Sequence, residues 1–147
     1  RPRSEKEIRD FLEKKLKTWK TAGQHTLKKV MERLRELGYI DDGKFAAWWV
    51  SQRASFRPKG KRLLGLELRQ KGVARGAVEG ALEGNLGLYN ELEGARRIIA
   101  KKMPTWSKLP VLERKRKVFG FLSRRGFSSA TITSVIDEFI GNRYNSE

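Results

Sequence analysis

The 147-residue chain carries 33 Lys and Arg against 17 Asp and Glu, a formal net charge of +16. This excess exceeds what solubility requires and points to a polyanionic partner: a nucleic acid, an acidic protein surface or an anionic membrane surface. With no cysteine and one histidine, His25, disulfides, thiolate chemistry and cysteine-based metal sites are excluded, and no apolar run approaches the roughly 18 residues of a membrane-spanning helix.

Ser4 followed three residues later by Glu7 reads as a capping box, and Ile8, Phe11, Leu12, Leu16 and Trp19 recur at helical spacing, so an amphipathic helix is predicted from Ser4 to about Trp19. Leu27, Val30, Met31, Leu34 and Leu37 share one face of a second helix, predicted from about Thr26 and closed by Gly38 at its C′ position. The stretch GYIDDGKFAAWWVSQR, residues 38–53, opens a third with Phe45, Trp48 and Trp49 inward. Pro58-Lys59-Gly60 breaks the chain, and helices are predicted over Lys61 to Lys71, stopped by Gly72, and over about Ala74 to Glu83. After a turn at Gly84 to Gly87, Leu92, Ala95, Ile98, Ile99 and Met103 mark a helix that Pro104 should end. Trp106 then falls in an exposed turn between Pro104 and Pro110, followed by helices over Leu109 to Arg125, closed by Gly126, and over Ser128 to Ile140. No stretch shows the alternation of a strand.

Two junctions repeat. LRQKGVARGAVEGAL, residues 68–82, aligns without a gap on LSRRGFSSATITSVI, residues 122–136. In both, glycine suits a left-handed helix cap, and the apolar residue after it staples to the next helix, Val73 on Val78 and Phe127 on Ile132. A fainter match sets Ile8, Leu12 and Lys15 against Leu64, Leu68 and Lys71. Helices grouped as three, three and at least two suggest an all-α chain of tandem three-helix units, elongated and curved, divided at 1–56, 57–105 and 106–147.

The residues of GYIDDGKFAAWWVSQR, the following PKGKRLLGLELRQKGV and the repeated KGV and RGF corners resemble the RecX family of regulators of the RecA recombinase, over nearly the whole chain. Here the first corner reads KTWKTAG, residues 17–23, in place of a Lys-Gly pair. The resemblance implies tandem three-helix units without catalytic activity or cofactor. It implies engagement of RecA filaments on single- or double-stranded DNA, restraining filament growth, ATP turnover and strand exchange in homologous recombination, DNA repair and the SOS response. A cytoplasmic monomer that does not engage membranes is expected, and the opening Arg1-Pro2, with no methionine, is what a trimmed or processed end would leave.

Candidates for chemistry are few. Asp41 and Asp42 are adjacent and diverge by about 100° on a helix, with no His or Glu at the spacing that would complete a metal or acid–base site. Asp41 instead fits an N-cap, with Ile40 stapled to Phe45 across it, and Asp42 complements the helix dipole. His25 has no catalytic partner at a telling spacing, and Ser4 and Ser128 are helix starts. Trp48 and Trp49, at helical spacing from Phe45, fit burial against Leu34, Leu37 and the next unit better than a stacking platform for bases.

The binding candidates are cations. Arg53, Arg57, Lys59, Lys61, Arg62, Arg69, Lys71 and Arg75 stand against the single acid Glu67. On the helix from Lys61, both flanks are expected to be buried, leaving Arg62, Gly65 and Arg69 as a stripe that a phosphate backbone or acidic ridge could approach closely. A second concentration runs from Arg96 to Arg125, where Arg114, Lys117, Phe121 and Arg124 share a face, with Arg125 beside them. A stand-alone, sequence-nonspecific DNA-binding helical protein is the competing reading.

Overall fold

A computed structural model describes residues 1–19, 23–83 and 89–141, which form eight helices and no strand. They are α1 (Glu5–Thr18), α2 (Gln24–Glu36), α3 (Asp42–Phe56), α4 (Lys61–Gln70), α5 (Arg75–Glu83), α6 (Glu91–Trp106), α7 (Val111–Arg124) and α8 (Ser129–Phe139). The expected Gly84 to Gly87 turn and part of the KTWKTAG corner lie outside the described residues.

Local chemistry sets most boundaries. Ser4 and Glu7 form the capping box of α1, Asp41 caps α3 by accepting from the Lys44 N–H, and Ser128 caps α8 by accepting from the Thr131 N–H. Gly38, Gly72 and Gly126 take left-handed φ values of 77°, 81° and 82°. At each, the glycine N–H and the next N–H return to carbonyls of the last helical turn, as in Gly72 to Arg69 and Val73 to Leu68. Two proline boundaries differ from expectation. Pro104 lies inside the last turn of α6, because a proline there removes one hydrogen bond while Met103 and Trp106 on either side are held against the core. Pro110, extended at φ −55° and ψ 152°, serves as N-cap, so α7 starts at Val111 and not at Leu109. Gly23 caps α2, which begins two residues before Thr26.

The helices pack in three groups, and these run differently from the expected divisions at 56 and 105. Leu27, Met31 and Ile40 form one cluster with the inner faces of α1 and α2. Phe45, Val50, Leu64, Leu68, Val73 and Val78 form a second across α3, α4 and α5. Ala95, Ile99, Val118, Leu122, Phe127, Ile132 and Val135 form a third across α6, α7 and α8. Thus α3 packs with the helices after it. Val73 and Val78 share one cluster, as do Phe127 and Ile132, matching the two staples. Ile40 and Phe45 do not: they enter different clusters on either side of Asp41, so that corner separates two groups and makes no staple.

Two joints of the same design connect the groups. At the first, the Ser4 hydroxyl donates to the Lys71 carbonyl at 2.7 Å, and the Glu5 N–H donates to the Asp42 carboxylate at 2.8 Å. At the second, the Gly60 N–H donates to the Arg125 carbonyl at 2.8 Å, and the Lys61 N–H donates to the Glu91 carboxylate at 2.9 Å. In each, the N-terminus of one unit's helix, α1 or α4, seats on the glycine corner of the next unit. The first residue of that unit's leading helix, Asp42 or Glu91, accepts the helix's first free N–H. The joints make α1, α4 and α7 equivalent, in agreement with the faint match of Ile8 and Leu12 to Leu64 and Leu68.

The second joint is so close that a methyl group on Gly60 would stand 2.0 Å from the Gly126 backbone, although Gly60 has an ordinary φ of −69°. Gly60→Ala should therefore cost about 3 kcal/mol by forced separation of the units, whereas Gly76→Ala, with nothing within 4 Å, should be neutral or stabilising by up to about 1 kcal/mol. Urea unfolding of both variants checks this, and equal midpoints would refute the joint. At the first joint, burial opposes ionisation of Glu7, but hydrogen bonds from Lys71, Arg1 and the Ser4 N–H outweigh it and hold the carboxyl at about 2, below its usual 4.5. Its contribution to stability is thus present above about pH 4.5 and lost as the pH falls toward 2. Glu7→Gln should flatten the pH dependence of the urea midpoint in that window alone.

Candidate functional site

Between α3 and α4, Glu67 organises the nearby basic residues. Its carboxylate accepts from the Trp49 indole N–H at 2.9 Å and from Arg53 at 3.3 Å, and it pairs with Lys59. Burial alone would raise the Glu67 carboxyl, but the bonds from Lys59 and Trp49 bring it below the usual carboxylate range. Arg53 lies 4.8 Å above the Trp49 ring and Lys71 lies 5.3 Å from it. Lys71 also pairs with Glu7 at 2.7 Å, and Arg75 with Glu79 at 2.7 Å. Four of the sequence-selected cations, Arg53, Lys59, Lys71 and Arg75, are therefore already paired with carboxylates within the chain, Arg53 and Lys59 sharing Glu67. Trp48 and Trp49 are half-buried against the α3–α5 cluster, with Phe45 6.1 and 5.9 Å away. Their packing is on the following helices, while Leu34 belongs to the first cluster and Leu37 is exposed.

The side chains of Arg57, Lys61, Arg62 and Arg69 have no carboxylate partner among the described residues. Arg62 and Arg69 are exposed on one face of α4, and Arg62 donates to the Ser123 carbonyl of the next unit at 3.3 Å. The stripe differs from expectation in two places. Gly65 is buried, facing Leu82 and Val78 of α5, because it sits one residue from Leu64 and three from Leu68 on the inward side. Leu66 is 41% exposed, so that flank is open.

On α7, Lys117 and Arg124 are exposed, while Arg114 and Phe121 are half-buried. Phe121 turns inward and meets Trp106 edge-on at 5.9 Å; Trp106 is thus a packed residue of α6 and not an exposed turn residue. The inward turn also closes a concavity of about 220 Å³ between the end of α3 and the faces of α6 and α7. Arg57, Arg97, Lys101, Lys102 and Arg125 line it, with no acid. None of these five has a carboxylate partner among the described residues. Sequence reading selected Arg57 and Arg125 but not Arg97, Lys101 or Lys102, since only the approach of the end of α3 to α6, where Arg97 donates to the Ala54 and Ser55 carbonyls, brings the two basic segments together. The one available signal was the absence of acids from Arg96 to Arg125 other than Glu113.

The remaining candidates have structural work. Asp41 caps α3, Asp42 accepts from Glu5, and His25 is exposed. Among the described residues no group of three or more His, Asp or Glu could hold a metal ion, and no helix is long and apolar enough to cross a membrane.

Residues 41–82 match the family model for the second three-helix domain of RecX, and residues 89–136 match that for its third. These spans coincide with the α3–α5 and α6–α8 groups. The chain belongs to the RecX family. It is 30% identical over 137 residues to the regulatory protein RecX of Thermobifida fusca (strain YX), covering 93% of this chain and 71% of that one. It is 32% identical over 135 residues to the regulatory protein RecX of Streptomyces lividans, covering 92% and 69%. The crystal structure of RecX from Lactobacillus salivarius superposes with a TM-score of 0.79 over 94% of this chain and 86% of that one, and its 24% identity speaks to the fold alone. A second crystal structure of a regulatory protein RecX, 28% identical, superposes with a TM-score of 0.74 over 93% and 64%. The RecX family thus supplies both the helical-repeat architecture and a regulatory role.

The Glu67 cluster can be tested apart from binding. Glu67→Ala leaves Arg53 and Lys59 facing one another and the Trp49 N–H unpaired, and should cost about 2 kcal/mol. Glu79→Ala removes only an exposed pair and should cost under about 0.5 kcal/mol. Urea midpoints compare the two, and equal losses would deny Glu67 its organising role.

Proposed function

We propose that this RecX-family chain is a non-enzymatic regulator that binds RecA filaments on DNA and restrains or remodels them. Membership of a family of regulatory proteins is the observation that carries the reading. The exposed, carboxylate-free Arg62 and Arg69 on α4 supply the side chains for it, because guanidinium groups bind carboxylate and phosphate by paired hydrogen bonds. Their spacing at i and i+7 places both on one helix face, and the adjoining joint holds that face beside the third unit through the Arg62 bond to Ser123. Lys61 at the edge of α4, and Lys117 and Arg124 on α7, extend the basic surface. The chain acts as a monomer in the cytoplasm, in recombination and DNA repair.

Replacing Arg62 and Arg69 by Ala should leave the circular dichroism and the urea midpoint near those of the parent, since neither residue contributes to a core. The same variant should weaken inhibition of RecA-driven ATP hydrolysis about tenfold or more. Unchanged inhibition would remove these residues from the site. Equal capture of the parent chain by bare and by RecA-coated DNA would favour a stand-alone DNA-binding protein.

A further inference from the structure

The concavity between α3, α6 and α7 gathers five positive charges with no acid to balance them. Like charges held together in a hollow repel one another in the free protein, and an anion entering the hollow removes that repulsion. Three of the cations are also held in place. Lys102 and Arg125 lie 5.3 and 4.6 Å from the Phe121 ring, and Arg97 donates to the carbonyls of Ala54 and Ser55 at 3.0 and 3.4 Å. Charges fixed in advance lose little freedom when an anion binds. Beside them Phe56, on the last turn of α3, is 78% exposed and lines the same hollow.

We propose that this hollow binds a phosphodiester of single-stranded nucleic acid, with the adjoining base resting on Phe56. Its volume of about 220 Å³ suits a phosphate with the attached sugar carbons, and the choice of strand rests on the ring beside it. In a duplex the bases are stacked on each other and cannot reach the ring, whereas a single strand presents phosphate and base face side by side. An acidic protein ridge would be served by the charges alone and gives Phe56 no role. The site deepens the proposed function and rests on its DNA side only; RecA is not needed for it to operate.

The test uses the full chain and a fluorescein-labelled oligothymidylate, followed by anisotropy over a series of salt concentrations. Arg57→Ala with Lys101→Ala removes two lining cations that have no carboxylate partner among the described residues. Affinity should fall about tenfold or more, and the log–log salt slope should become shallower by about 0.7, for the one single-strand phosphate that is no longer neutralised. Lys28→Ala with Lys29→Ala removes the same charge from the exposed face of α2 and should leave the slope unchanged. Phe56→Ala should lower affinity about tenfold with the slope retained. Equal slope changes in the two double variants would reduce the site to diffuse charge and overturn the proposal. Displacement of the oligothymidylate by inorganic phosphate at matched ionic strength would make the hollow a free-anion site and overturn it as well. Unaltered oligothymidylate binding by the Arg57/Lys101 variant, together with lost inhibition of RecA-driven ATP hydrolysis, would assign the hollow to a protein surface, again against the proposal. The expected oligothymidylate results from a chain that fails to inhibit RecA would uphold this site and refute the regulatory function.

Discussion

The structure depends on how closely a helix N-terminus can approach a glycine corner. At Gly72 a methyl group would meet the Lys6 side chain at 2.6 Å, and at Gly126 it would meet the Leu63 side chain at 2.5 Å. Both glycines also hold left-handed φ values that other residues adopt only with strain. The close approach lets the last carbonyls of one helix, at Lys71 and Arg125, meet donors from the N-terminus of another. Helix ends are where backbone groups lack partners, and two such ends satisfy one another here. The first acid of the following unit completes the arrangement, so three elements meet at each joint and the units are fixed relative to their neighbours.

This design decides which charges remain for function. Glu7, Asp42 and Glu91 are taken up at the joints, Glu67 between α3 and α4. At Glu91, burial opposes ionisation, but bonds from Thr131, the Lys61 N–H and Ser128 outweigh it and keep the carboxyl below its usual range. With these acids committed to holding the units, the surfaces around Arg62 and Arg69 and around the α3–α6–α7 hollow keep their positive charge. The same acids that stabilise the repeat leave its cations uncompensated, which links architecture to partner choice. Carboxylate-paired cations such as Arg53 and Lys59 belong to the scaffold, although in sequence they are indistinguishable from their free neighbours.

The repeated corner was legible in the sequence because its cause is local. A glycine at C′, an apolar residue after it and a second apolar residue five positions further on are short-range requirements, and all three recur with an offset of 54 residues. The caps at Ser4, Asp41 and Ser128 were legible for the same reason, as was the all-α class from apolar spacing. Pro104 misled because the rule for proline describes an isolated helix, whereas packing of Met103 and Trp106 on the third cluster carries the last turn past it.

What the sequence determined by itself was the family, the helical class, the corners and a large positive charge, since these follow from residue type and spacing along the chain. The tertiary structure alone decided that α3 groups with α4 and α5, that Gly65 faces inward, and which lysines and arginines have acidic partners. It alone also brought Arg57 to Arg97, Lys101 and Lys102. Each of these depends on how separate helices are placed side by side, and no local pattern encodes the distance between them.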